Sequence, residues 1–291
     1  MHRKFRAWKA LPLILLSLLL ALQAWDIYRQ THGGALLLPV LMYHHFEEVS
    51  KEGTVVSAAR FQEQISAMHE AGYHAVSIRQ VLDYVQKETP LPDKPVLITM
   101  DDGYTSNLTI AAPVLEEYGM CATVFVIGIN EGEDVYVHSG EPFSQTRFSY
   151  EEALPWVEKG VIDLQSHTFD MHQLAGYGFS GRDGALRMRG ESHEDYRKAL
   201  LADAEACRQR RRGIVDGELY ALAYPFGYYD LEADQVMGEA GYLLTVTTDD
   251  RPNRLKPHDI KCLRLMGRIN VTDRMSSEDL ISRLDQFSSQ D

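Results

Sequence analysis

Val96-Leu97-Ile98-Thr99-Met100-Asp101-Asp102-Gly103 is an apolar, β-rich run that stops on a turn-forming tripeptide. Seven comparable runs lie along the chain, at residues 40–43, 74–77, 123–127, 161–165, 219–224, 242–247 and 263–269. The segments between them read as helices. Phe61, Ile65 and Met68 recur at helical spacing and stop at Gly72. Ser149 stands three residues before Glu152, a capping-box signature for a helix ending near Gly160. Ala233, Val236, Met237 and Ala240 share a face and end at Gly241. Strand and helix in alternation predict an α/β fold with a parallel sheet. Its expected form is a distorted (β/α) barrel of about seven parallel strands, with an open doubly wound sheet as the alternative.

The chain of 291 residues suffices for one large α/β domain. A formal charge of -13 argues against a nucleic-acid partner, which would need a basic surface. The three cysteines, Cys121, Cys207 and Cys262, form no C-x-x-C pair and cannot all be joined in disulfides. No protein partner is evident. At the N-terminus His2, Arg3, Lys4, Arg6 and Lys9 precede an almost wholly apolar stretch, 10–24. The expected organisation is a basic cytoplasmic flank at 1–9, an anchor helix or signal segment at 10–27, a linker at 28–38 and a domain at 39–287. The stretch is short for a span of about 20 residues and near a signal-peptide core. An uncleaved anchor is preferred because Leu22-Gln23-Ala24 makes a weak cleavage site. The basic flank then stays inside, with the domain on the outer face of the cell membrane.

In a parallel β/α fold, chemistry collects where strands end. Asp101 and Asp102, adjacent at such an end, should point in different directions, one toward a cation and one free as a base. His167 and His172 follow the run at 161–165, and both imidazoles can turn to one point there. Two histidines and a carboxylate with open positions form a hydrolytic metal set. Residues 171–190 hold five glycines and no periodicity, which predicts a substrate-facing loop.

Together these pieces resemble the polysaccharide deacetylase family, the carbohydrate esterases with a NodB homology domain. Thr99-Met100-Asp101-Asp102-Gly103 is similar to the family's T-F-D-D-G, and His167-Thr168-Phe169-Asp170-Met171-His172 to its H-[ST]-x-x-x-H. Ala223-Tyr224-Pro225-Phe226 resembles its R-x-P-[FY] without the arginine. The resemblance implies a metal-dependent hydrolase that removes N-acetyl, or O-acetyl, groups from a cell-surface polysaccharide such as peptidoglycan or poly-N-acetylglucosamine. It implies that Asp102, His167 and His172 bind a divalent ion, zinc before others, and that Asp101 is the general base. Tyr224, Pro225, Phe226 and Arg268 fall to substrate contact, with a backbone N–H near Phe226 for the oxyanion. Arg268 also stands as a substitute for the missing base-orienting arginine. The family's terminal Leu-x-His is absent, so the general acid is sought in Tyr43-His44-His45, with His44 preferred. Asp249 and Asp250 are further candidates to line the site. A non-catalytic glycan-binding protein on the same fold is the alternative. An aspartate-nucleophile phosphatase would need D-x-D, and the chain has Asp-Asp-Gly.

Overall fold

The computed structural model describes residues 36–50, 54–176 and 179–288. The chain divides into two units, Met1–Leu36 and Leu37–Asp291. The expected anchor or signal segment at 10–27 lies outside the described residues, as does all but the end of the linker. Among the described residues no helix is long and apolar enough to cross a membrane.

The second unit is built from strands β1 (Val40–Tyr43), β2 (His74–Ala75), β3 (Pro95–Asp102), β4 (Ala122–Val126), β5 (Ile162–Ser166), β6 (Ala221–Ala223), β7 (Leu244–Val246) and β8 (Ile269–Asn270). Helices α1 (Ala58–Glu70), α2 (Ile78–Lys87), α3 (Ala112–Glu117), α4 (Tyr150–Glu158), α5 (His193–Arg211), α6 (Leu231–Glu239) and α7 (Ser277–Ser288) fill the connections. All pairings in the main sheet are parallel, in the order β7-β6-β5-β4-β3-β1-β8, with β2 beside the start of β3. The order advances in one direction and has no point of reversal, so the doubly wound alternative does not hold. The seven strands curl into a half-barrel.

β3 carries the apolar run that ends in Asp101 and Asp102. All eight of its residues are buried, because neighbouring strands pair along both its edges and packing covers both its faces. The capping box at α4 forms as expected: Ser149 Oγ accepts the Glu152 N–H, and the Glu152 carboxylate accepts the Ser149 N–H. Phe61, Ile65 and Met68 of α1 enter the larger apolar core with Leu280 and Leu284 of α7. Ala233, Val236 and Met237 of α6 join a second core with Tyr196, Leu200 and Ala204 of α5.

The expected strand at 263–269 is not continuous. It opens as a 3-10 turn (Ile260–Leu263), passes through Leu265 at φ 55 and makes a single bridge from Met266 to Val246. It then pairs with β1 as β8, Ile269 opposite Leu41. The segment leaves one edge of the curled sheet and joins the other, and an unbroken ladder could not change partners in so few residues. Gly267 and Arg268 sit at the crossing, which turns the Arg268 side chain into the interior (0% exposed).

Candidate active site

Side chains alternate along a strand, so neighbouring carboxylates at the end of β3 diverge. Asp101 enters the barrel and Asp102 faces the cleft. The backbone breaks there, with Asp102 at φ 77 and Gly103 at φ 73. The small polar aspartate tolerates this conformation better than most side chains. A Cβ at position 103 would also meet Val126 Cγ1 at 3.3 Å.

Asp102, His167 and His172 come together although they lie on separate segments. Asp102 Oδ1 is 3.5 Å from His167 Nε2 and 3.2 Å from His172 Nε2, and one ligand atom from each residue lies within 4.8 Å of the others. His167 Nδ1 is 2.8 Å from the Ala223 carbonyl. That contact requires the proton on Nδ1 and leaves the Nε2 lone pair facing the carboxylate. Burial, against the pull of Asp101, pushes the His167 pKa down to about 4, so the ring is neutral near pH 7. Among the described residues, Asp102 Oδ1 is buried with no hydrogen-bond partner. Burial raises the Asp102 pKa, but the adjoining His172 and His167 outweigh it and hold the carboxyl well below the usual range. An anionic oxygen facing an unprotonated nitrogen, with nothing between them, is an arrangement a cation stabilises. The three residues fit a divalent ion.

Asp101 makes a bidentate pair with Arg268, Oδ1 to Nη1 and Oδ2 to Nη2, each 2.7 Å. Burial works to raise its pKa, and the Arg268 guanidinium prevails, so the carboxyl stays below its ordinary value. Arg268 also donates from Nε to the Thr247 carbonyl (2.8 Å) and from Nη1 to Thr99 Oγ1 (3.2 Å). A fully buried guanidinium held at this many points cannot be the substrate contact expected of it. The orienting role is the one its geometry permits.

The third motif divides likewise. Tyr224 is wholly buried and its hydroxyl donates to Asp234 (3.0 Å), while Pro225 is buried beneath the turn. Neither offers a surface to a ligand, because β6 ends inside the wall and only the next residue emerges. Phe226 does emerge, 39% exposed at φ 57, with its ring 4.3 Å from that of His172.

The two histidines after β1 separate cleanly. His45 is engaged on both nitrogens, Nδ1 at 2.9 Å from Ser106 Oγ and Nε2 at 3.4 Å from Glu47, and burial lowers its pKa. His44 has a buried Nδ1 without a partner among the described residues, and its charge, when present, acts on both Asp101 and Asp102. Of the two, His44 is the one with a ring nitrogen left for a proton-transfer role. If it serves in that way, His44→Gln lowers kcat by about 10²–10⁴-fold. His45→Gln should cost about 1 kcal/mol of stability and leave kcat within a few-fold. Steady-state rates and urea unfolding of both variants check this, and equal rate losses would remove the distinction.

A cleft of about 460 Å³ opens above these residues, lined by Asp102, His172, Phe226, Tyr104, Tyr136 and Arg147 among others. Gln173, Leu174 and Phe179 reach it from the glycine-rich loop, so that loop faces the cleft. A pocket of about 560 Å³ at Arg208, Arg211 and Gly217 is larger, but it adjoins residues that precede β6 and β7 and gathers no cation-ligand cluster. Asp249 and Asp250 are not among the cleft's lining residues: their carboxylates approach Arg251 (3.7 Å) and Arg283 (2.6 Å).

Sequence reasoning missed Tyr104 and Arg147. The Arg147 guanidinium lies 3.6 Å over the Tyr104 ring, and burial, then Asp102, push the Tyr104 hydroxyl up to about 12. Tyr104 directly follows Asp-Asp-Gly, which was a usable signal. Arg147 had none.

The family model for polysaccharide deacetylase matches residues 88–245. The Bacillus subtilis protein YxkH, named for the same family, is 28% identical over 212 residues, 73% of this chain and 64% of YxkH. The poly-beta-1,6-N-acetyl-D-glucosamine N-deacetylase of Escherichia coli K12 is 24% identical over 250 residues, 79% of this chain. The alignment spans only 35% of that E. coli protein, and thus less than two thirds of either relative's length. Among solved structures, IcaB from Ammonifex degensii is similar at a TM-score of 0.69 and 22% identity, covering 86% of this chain and 98% of that one. The Streptococcus pyogenes deacetylase PplD is similar at 0.67 and 21%, covering 86% and 99%. These two likenesses bear on the fold alone. With a matching model over more than half its length, and the expected residues gathered at the strand ends, this chain belongs to the polysaccharide deacetylase family.

Proposed function

We propose that this protein hydrolyses the acetamido groups of a poly-N-acetylglucosamine-type polysaccharide of the cell envelope, using a divalent cation, zinc before others. The observation that carries the reading is the orphaned Asp102 Oδ1 facing two imidazole nitrogens, with the Asp101–Arg268 pair beside it. Relatives named for poly-beta-1,6-N-acetyl-D-glucosamine N-deacetylation support the substrate class.

Asp102, His167 and His172 would hold the cation, which supplies Lewis-acid polarisation of the acetyl carbonyl and lowers the pKa of the attacking water. Asp101 takes the proton from that water. The bidentate pair occupies one lone pair on each carboxylate oxygen and leaves others to accept it. Arg268 keeps the carboxylate ionised and fixed in direction. The water oxygen bonds to the carbonyl carbon, and a backbone N–H at Phe226 faces the developing oxyanion. The C–N bond then breaks, His44 protonates the departing amine, and acetate and a free amino sugar leave. The segment at 10–27 tethers the domain to the outer face of the cell membrane.

The test is acetate release from poly-β-1,6-N-acetylglucosamine, peptidoglycan, chito-oligosaccharides and acetylated xylan. Activity is expected on the first, lost with a chelator and restored by zinc. Activity that survives thorough chelation would dismiss the cation, and release from xylan alone would dismiss the substrate class.

A further inference from the structure

We infer that Asp203, on α5 and outside every motif, is a positioning residue that sets the spacing of His167 and His172; the inference rests on the cation-site reading above. Its Oδ1 accepts the Phe169 N–H and its Oδ2 accepts the Asp170 N–H, each at 2.8 Å. Both amides lie in the short loop that has a candidate ligand at each end.

That loop is strained. Thr168 is β-branched yet sits at φ 68, a conformation that persists only where its surroundings impose it. The surroundings do so through four successive amides. The Thr168 N–H goes to Ser166 Oγ (3.1 Å), the next two to Asp203, and the Met171 N–H to Thr168 Oγ1 (3.2 Å). The carbonyls of Thr168 and Phe169 accept from Gly128 and Ile129, after β4. Gly128 and Ile129 lie in a 3-10 turn (Gly128–Asn130), and among these contacts those of Asp203 come from an α-helix.

An acid is the residue this task requires. A carboxylate accepts on both oxygens, whereas an amide of the same shape would turn an NH₂ toward one of the two N–H groups. Asp203 is 8% exposed, and burial raises its pKa to about 6, a cost the two backbone hydrogen bonds oppose. A buried carboxylate in contact with no cationic side chain among the described residues needs a reason to be there. Fixing the histidine loop supplies one.

Asp203→Asn should therefore bind Zn²⁺ about 10–100-fold more weakly than the unsubstituted protein in chelator competition, and Co²⁺ bound in its place should give an altered visible absorption spectrum. A loss of packing alone would not be repaired from within the loop, but this loss should be. Serine keeps the Oγ that accepts the Met171 N–H and lacks the β-branch that positive φ strains most, so Thr168→Ser in the Asp203→Asn background should recover part of the lost affinity. Equal affinity of Asp203→Asn and the unsubstituted protein overturns the inference alone, as does the absence of rescue. If the unsubstituted protein binds neither ion, the cation reading fails and takes this inference with it. Should Asp203→Asn fail to fold, amide exchange in the unsubstituted, metal-free protein decides: protected Phe169 and Asp170 amides support the clamp, and exchange at open-loop rates overturns it.

Discussion

Asp101→Asn is expected to lower kcat by about 10²–10⁴-fold, the range for removing a general base, while cation content stays near that of the unsubstituted protein. The two halves of this result follow from alternation at the end of β3. Asp101 faces Arg268 inside the barrel, and Asp102 faces His167 and His172. An asparagine keeps the shape and one acceptor for Arg268 but cannot take a proton near neutral pH. Metal analysis beside steady-state kinetics reads both halves. Loss of the cation with the activity would mean that the roles of the two aspartates are exchanged.

Arg268→Met should produce the largest combined loss of stability and activity. Removing one partner of a buried pair leaves an uncompensated charge, at a cost of about 3–5 kcal/mol. The Asp101–Arg268 pair is buried on both sides (3% and 0% exposed), so solvent screens little of it. The pH dependence follows from the same contact. With Arg268 present, the Asp101 pKa lies below its unfolded value, and the resulting stability is present above the unfolded pKa and lost as pH falls through the folded one. Without Arg268 the burial effect loses its strongest opponent, leaving only His167 and His44 when charged, and the pKa rises above the unfolded value. Ionising Asp101 then destabilises the variant as pH climbs from about 4. The stability deficit should be large near neutrality and shrink in acid, and the acid limb of kcat/KM should move to higher pH. Chemical unfolding at several pH values and a pH–rate profile check this. An acid limb unmoved in the variant would separate Arg268 from the base. Arg268→Lys should recover part of the effect, since an ammonium restores charge without the fork that engages both oxygens.

The regularly patterned parts of the fold were legible. β1 lies at 40–43 as expected, and the capping box at Ser149 and Glu152 marks the start of α4. The expected strand at 263–269 was less so, because its break answers to a change of partner strand and not to its own composition. At the site, the motif spacing brought Asp102, His167 and His172 together on paper, and the structure brings them together in space. Tyr224 and Pro225 were assigned to substrate and are buried instead, and of the two roles expected of Arg268 its burial against Asp101 leaves the orienting one. Whether a polar side chain near a strand end meets ligand or wall depends on the curl of the sheet, which no local pattern encodes.

The succession of β/α units, the strand that ends in Asp101 and Asp102, and the histidine loop after β5 can be read from the chain's local patterns. Each is written in short-range terms: alternation, apolar runs, caps and turn residues within a few positions of one another. The contact of Arg268 with Asp101 across 167 residues, the unengaged nitrogen that favours His44 over His45, and the reach of Asp203 back across 34 residues to the loop come from the closed fold. Those contacts depend on closing long stretches of chain, and an arginine or aspartate looks the same in a sequence whether it ends against solvent or against a buried partner.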